Sequence, residues 1–360
     1  MTILMKQQFL GDWREGLSAA QCRPLIQHYG RQSSAYFNLQ SDVRRFGDPR
    51  LGFVAYAPVN TLLGRVNIVF ANPVCAPSIQ PLLLRQCLEQ VPGQFLFSGI
   101  DDSVTGDLQA LGFTINAMGT EFRVRIPAFD TVGRDKKQLR HAGNLGRRCQ
   151  LRVREQQARE VDTRQMERIS RHWRQHKRVR SHELRLLTRP PVFSDEWGVR
   201  RFYAYDRDDR LLGYVFFDPF FENGSVVGYT ANILRQDMEQ SPSGLLDFII
   251  LEAMECFHRE GIEYLSLGIS PLHNIEAIPG DNPLIRHVAQ FLYRHGNRLY
   301  AFRSLAYHKT RYRGEETRWY LASRETSTPK VAWSLLRGTG ILGSPDYVQP
   351  SGDSSVPVPG

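Results

Sequence analysis

The chain has 360 residues, 41% hydrophobic and 23% charged, with a formal charge of +9 and an isoelectric point near 9.4. That length and balance fit a folded protein of two packed units and exclude a disordered or collagen-like chain. No run of about 18 apolar residues occurs, and residues 1–10 lack the apolar centre of a secretory signal, so neither a membrane span nor an export leader is expected.

Residues 1–24 read as a polar lead-in with one weak helix, ending at Pro24. From Leu25 the pattern alternates between helical and extended segments. Residues 35–39 are followed by strands at 52–58 and 65–69, a helix over 81–91 and a strand at 94–98. Val104, Leu108 and Leu111 share one face of a helix over 104–112, and 119–126 alternates as a strand. Residues 25–130 therefore form one α/β unit of ordinary domain size. It has no Gly-rich phosphate loop and no convergent acid, base and nucleophile, so it reads as a degenerate partner of the unit that follows.

Positive charge is concentrated at the start of the second unit, residues 131–325. Between residues 131 and 180 stand 16 Lys/Arg against 5 Asp/Glu. A helix over 135–148 spreads Arg134, Lys136, Lys137, Arg140, Arg147 and Arg148 around much of its circumference. A solvated helical face is the plain reading; a phosphate backbone or an anionic lipid surface is the functional one. Residues 151–153 suggest a strand. The helix over 163–175 carries Met166, Ile169 and Trp173 as its apolar stripe. Trp173, His172 and His176 read as packing and surface residues, since no orienting acid accompanies them in sequence.

A second sheet begins with strands at 202–205 and 211–217, joined at Asp208-Asp209. The stretch 227–272 is the chemical centre of the chain. It has a β-branched, aromatic strand at 228–234 after Asn223-Gly224, a polar loop, a helix with Ser243 at its N-cap position, and a strand at 263–267 closed by Gly268. This order leaves helix N–H groups beside the end of a sheet, where carbonyl or anionic oxygens are attracted. A helix over 283–293, a strand at 298–301, a basic segment over 305–312 and a strand at 319–322 complete the unit. Residues 326–360 turn to Ser, Thr, Gly and Pro and read as a loosely held tail, with 331–336 docking as one helical turn. Cys22, Cys75, Cys87, Cys149 and Cys256 show no metal-ligand spacing, so reduced structural thiols are expected, with no metal and no cofactor.

Several runs carry a family resemblance: Ile233-Leu234-Arg235, Pro242-Ser243-Gly244, Asp247-Phe248 and Ser266-Leu267-Gly268-Ile269-Ser270-Pro271-Leu272. With Glu121-Phe122-Arg123-Val124 before them and Leu299-Tyr300-Ala301-Phe302, Lys309, Arg311 and Tyr312 after, they resemble the soluble catalytic region of bacterial phosphatidylglycerol lysyltransferases, in the same order over residues 26–325. The membrane-embedded half usual in those enzymes is not expected among these residues, a departure that bears on substrate choice. The resemblance implies an α/β fold with a mixed sheet, two tandem GNAT-like acyltransferase units. It implies an aminoacyl-tRNA donor, met by the basic helix through Arg134, Lys136, Lys137, Arg140, Arg147 and Arg148. The acceptor would be an anionic lipid or a small-molecule hydroxyl or amine, reached by a cytoplasmic protein in peripheral contact with the inner membrane. It assigns the reaction to Arg235, Lys309, Asn232 and Asp247, with Ser243, Gly244, Ser266 and Arg311 binding substrate, and Arg235 and Lys309 facing each other across a gap.

Asn232 departs from the family, which carries an acid there. Asn can hydrogen-bond but cannot hold an ammonium group by charge, and this leaves the donor amino acid open. An acyl-CoA or acyl-carrier-protein donor fits the same fold, although the Gln/Arg-x-x-Gly-x-Gly/Ala pyrophosphate loop is lacking. A non-catalytic RNA- or lipid-binding module is the third reading.

Overall fold

The computed structural model describes residues 11–61, 64–176, 185, 188–296 and 300–341. Strands are β1 Arg14–Glu15, β2 Arg44–Asp48, β3 Gly52–Thr61, β4 Gly64–Val69, β5 Val74–Cys75, β6 Gln94–Ile100, β7 Thr114–Arg125, β8 Arg152–Glu155, β9 Arg200–Tyr205, β10 Leu211–Glu222, β11 Ser225–Gln236, β12 Tyr264–Pro271 and β13 Glu315–Ser323. Helices are α1 Ala19–Tyr29, α2 Gln80–Gln90, α3 Asp102–Ala110, α4 Lys137–Arg148, α5 Thr163–Gln175, α6 Leu245–Arg259, α7 Pro283–His295, α8 Phe302–Thr310 and α9 Thr328–Gly338.

All the described strands join one mixed α/β sheet in the order β1-β2-β3-β4-β6-β13-β7-β12-β11-β10-β9-β8, with β5 paired to β3. The order reveals a repeat. β4 and β6 pair in parallel across α2, and β11 and β12 pair in parallel across α6. The remaining pairings are antiparallel, as the short connections of a meander allow.

The last strand of each repeat is exchanged. β7 lies against β12 of the second repeat, β13 lies against β6 of the first, and the two exchanged strands pair with each other. Each half-sheet is therefore completed by backbone hydrogen bonds from the other. Helices cover both faces. α2 and α3 bury Leu83, Leu84, Val104 and Leu108 on one face of the first half, and α1 and α9 bury Cys22, Ile26 and Val331 on the other. In the second half, α6 supplies Leu245, Ile249, Ile250 and Phe257 to one core, and α5 supplies Met166 and Ile169 to the core on the opposite face.

Three local expectations change, and one unassigned segment gains a structure. Pro24 does not end a lead-in: α1 starts at Ser18, whose capping box with Gln21 nucleates a helix that runs on through Pro24. The strand expected at 298–301 lies partly outside the described residues, and Tyr300 and Ala301 are not extended, because α8 already begins at Phe302. Residues 35–39 form a short 3-10 helix whose Tyr36 and Phe37 are buried. The segment 331–336 belongs to a longer helix, α9, whose Val331 enters the core; the rest of the expected loose tail, 342–360, lies outside the described residues.

Candidate active site

The second parallel pair opens into a wedge. β11 and β12 are bonded only from Gly228 with Tyr264 to Thr230 with Ser266; beyond that point β11 follows β10 and β12 follows β7. Each strand carries an irregularity that turns it away. On β11, Ala231 faces Phe217 and Ile233 faces Phe216, so Asn232 is the extra residue of a bulge. On β12, the register against β7 jumps between Ser266 and Ile269, and Gly268 sits at φ 71°, where a side chain would be strained. Ser266 is fully buried. Its hydroxyl donates to Glu121 Oε1 at 2.6 Å and accepts from the Gly268 N–H at 3.0 Å, which holds the bend.

Lys309, from α8, points into this wedge. Its Nζ donates to the Ile269 carbonyl at 2.7 Å. A Cβ on Gly268 would lie 3.6 Å from that Nζ and 4.0 Å from Thr230 Cγ2, so Lys309, Gly268 and Thr230 meet where the strands part. Lys309 as a whole is 9% exposed. Burial pulls it down from 10.5 to about 7, with the nearby Glu121 carboxylate opposing the shift. An amine in that range can accept or release a proton near neutrality.

The equivalent wedge in the first half is plugged. Gly99 stands in β6 two residues past the last parallel pair, Val69 with Phe97, at φ 74°. Gln32 spans the gap, donating to the Gly99 carbonyl at 2.8 Å and accepting from the Asn72 N–H at 2.7 Å. Met118 and Trp319 fill the rest: Sδ of Met118 is 2.9 Å from the Gly99 nitrogen, and a Cβ on Gly99 would be 3.4 Å from the Trp319 ring. Trp319 Nε1 donates to Glu121 Oε2 at 3.1 Å, so the exchanged strands couple the filled wedge to the one that holds Lys309.

The helix that connects β11 to β12 starts differently from the expectation. Gly244, not Ser243, occupies the N-cap of α6, at φ 86° and without a side-chain cap, and Ser243 is exposed. Gly244 is needed because α4 crosses close by, with Ala142 Cβ 3.0 Å from where a Gly244 Cβ would stand. Asp247, in the first turn, is buried. It receives Tyr312 Oη at 2.7 Å and Arg311 at 3.1 Å, with His308 Nε2 also 3.1 Å away, and so fastens α6 to α8. Burial alone would raise the carboxyl; His308, Arg311 and Tyr312 outweigh it and hold the group below its usual range.

The bulge at Asn232 reverses the strand's alternation, so that Ile233 joins the α5-side core and Arg235 follows it to that face. The Arg235 guanidinium lies 4.0 Å from the Trp173 ring centre, near Ser170 Oγ at 3.4 Å, and donates to the Leu234 carbonyl at 3.1 Å. Arg235 thus belongs to the β11 arm and Lys309 reaches the β12 arm. Asn232 is half-buried, donating to Asp218 Oδ2 at 2.7 Å and accepting from Thr188 at 3.1 Å. Asp218, on β10, is itself gripped by Arg189 at 2.6 Å. The carboxylate that Asn232 lacks is therefore present one strand away, already neutralised.

α4 is not basic all round. Leu139 and the small residues Ala142, Gly143 and Gly146 form a buried face, so close to α6 that a Cβ on Gly146 would strike Phe248 at 2.6 Å. Arg134, Lys137, Arg147 and Arg148 are left exposed on the solvent side. Lys136 instead pairs with Asp130 at 3.4 Å, and Arg140 binds the carbonyls of Thr131 and Gly133, shaping the loop before the helix.

The structure brings Asp247 together with Arg311, and gathers Ser266, Gly268 and Lys309 around one bend. It adds Glu121 and His308, which sequence reasoning had not placed in the site. A carboxylate in the middle of the strand expected at 119–126 was the available signal for Glu121. Among the described residues, Glu155, Cys256 and Glu260 bring metal-capable atoms within 4.8 Å of one another, but the Arg200 guanidinium binds all three and supplies the positive charge there. No described helix is long and apolar enough to cross a membrane.

The family model for the C-terminal region of phosphatidylglycerol lysyltransferase matches residues 23–323. Two solved structures share the fold over nearly their whole length. One is the C-terminal domain of a putative lysylphosphatidylglycerol synthetase from Agrobacterium fabrum, with a TM-score of 0.70 and 18% identity over 90% of this chain and 96% of that one. The other is L-PGS from Bacillus licheniformis, with a TM-score of 0.72 and 16% identity over 92% and 99%. FemX superposes more loosely, with a TM-score of 0.51 and 9% identity over 86% and 96%. An uncharacterized protein of Corynebacterium glutamicum is 32% identical over 133 residues, a stretch covering 37% of this chain and only 16% of that protein. On the match over residues 23–323, the chain belongs to the phosphatidylglycerol lysyltransferase C-terminal family.

Proposed function

We propose that this chain is an aminoacyltransferase that moves an aminoacyl group from aminoacyl-tRNA to a hydroxyl or amine, with an anionic lipid as the acceptor. The observation that carries the reading is the buried Lys309 amine at the parting of β11 and β12, brought to about 7. In its neutral form it takes the proton from the attacking acceptor oxygen or nitrogen. The new acyl bond forms as the ester bond to the tRNA ribose breaks, and the same proton passes to the departing ribose oxygen. Beyond Thr230 β11 no longer pairs with β12, and a backbone N–H on that side would stabilise the carbonyl oxygen as it gains charge, one such donor being worth about 3 kcal/mol.

The exposed cations Lys137, Arg147 and Arg148 stand on α4, with Arg134 in the loop before it, and α4 packs against the start of α6, so a bound phosphate backbone would run past the wedge. Asp247 supports this arrangement indirectly, by fixing Arg311 and His308 on α8. Asn232, neutral and already bonded to Asp218, gives no preference for a basic aminoacyl side chain.

The test is incubation of the purified protein with total charged tRNA and a membrane lipid extract, followed by mass analysis of new adducts. Aminoacylated lipid that disappears after RNase treatment and in Lys309→Met is the expected result. Adducts that survive RNase but require acyl-CoA or acyl carrier protein would assign the donor to that class. No adduct under any donor would leave a binding module.

A further inference from the structure

We propose that the outward face of α7, with the cavity beside it, is a docking surface for an anionic phospholipid bilayer. α7 reads PLIRHVAQFLYRH and contains no acidic residue. Its inner face buries Ile285 and Ala289. On the other side Leu284 is 58% exposed and Phe291 61% exposed, with half-buried Val288 between them at helical spacing. Large exposed apolar side chains elsewhere among the described residues stand singly on their elements, so two on one helix stripe make this face unlike the rest. His287, Arg294 and His295 are exposed on the same helix.

Next to this stripe a cavity of about 420 Å³ is walled by Leu272, Ile275 and Tyr293 and carries Arg294 from α7 and Arg303 from α8, with no carboxylate in its lining. Leu272 follows β12 directly, three residues beyond the carbonyl that holds Lys309. The cavity thus lies at the end of β12, the strand that forms one arm of the wedge. An apolar stripe beside basic groups is the pattern by which a helix lies in a membrane interface: the apolar side chains enter the acyl boundary and the cations meet anionic headgroups. A nucleic acid would use the cations but gives Leu284 and Phe291 no comparable partner. The occupant is therefore a lipid surface, with a headgroup phosphate at Arg294 and Arg303.

The proposal rests on the lipid-acceptor reading for its purpose, but its test does not depend on transfer. The full chain is cosedimented with phosphatidylcholine vesicles with and without phosphatidylglycerol, alongside the double variants L284S/F291S and R294Q/R303Q. The expected result is binding to the phosphatidylglycerol vesicles, lowered about tenfold by L284S/F291S, the order that two interfacial side chains imply. R294Q/R303Q should bind more weakly and with less salt dependence. All four positions are on the surface or the cavity wall, and unchanged thermal melts will show that the variants fold. Wild-type protein that ignores anionic vesicles, or L284S/F291S that binds them like wild type, overturns the proposal. So does a loss, in these variants, of RNA binding alone. Vesicle binding without any aminoacyl transfer would retain this surface and dismiss the function proposed above.

Discussion

Replacing Lys309 with methionine should stabilise the protein near neutral pH while abolishing transfer. Burial holds the amine at about 7, well below its 10.5 in the unfolded chain. At about 1.36 kcal/mol per unit, carrying the ammonium into the fold costs about 5 kcal/mol when fully protonated, and about 4 kcal/mol near pH 7. Methionine keeps the length and the apolar stem and carries no proton. It leaves the Ile269 carbonyl without its donor, which costs about 1–3 kcal/mol, so the net gain near pH 7 is about 2 kcal/mol. Because the folded value lies below the unfolded one, the unfolded chain alone is protonated between about 7 and 10.5. Wild-type stability therefore falls as pH drops through that window and the full penalty is present below it. Urea unfolding of both proteins at about pH 7 and about pH 10 is the assay, and the variant's advantage should vanish at the higher pH. A variant that is less stable by the same margin at both values would refute the reasoning.

The repeated glycines offer a paired comparison: Gly268→Ala and Gly99→Ala each force a side chain into positive φ and should each cost about 1–2 kcal/mol in thermal or urea unfolding. Only Gly268→Ala, whose new methyl would stand 3.6 Å from Lys309 Nζ, should alter transfer beyond its effect on stability. Asp247→Ala removes the buried partner of Arg311, Tyr312 and His308 and should cost about 3–5 kcal/mol. The Asp247 carboxyl lies below its usual value, so its contribution is present above 3.8 and lost as pH falls through the folded value; wild type and variant should converge in acid unfolding. Lys137→Ala, Arg147→Ala and Arg148→Ala combined should weaken tRNA binding and lower the slope of log affinity against log salt by about 2, read by filter binding, with little change in melting temperature.

Periodicity and punctuation were enough for most of the elements. The helix Thr163–Gln175 has the bounds its apolar stripe implies, and the turn Asn223-Gly224 adopts positive φ at both residues between β10 and β11. The family motifs likewise led to β11, α6 and β12, which border the wedge. Short strands such as β2 and the full length of β10, which continues through Pro219, were not legible, because partners on neighbouring strands decide where such segments end.

Local sequence determined which segments are helical or extended, and where the charge and the chemically able side chains lie along the chain. Tertiary structure alone decided that β7 and β13 change places, that the Asn232 bulge turns Arg235 toward Trp173, and that Glu121 and Ser266 hold the bend beneath Lys309. The reason is range: helix and strand preferences act over a few residues, whereas the register of a sheet and the burial of an amine depend on groups 145 or more positions apart, as Glu121 and Ser266 are.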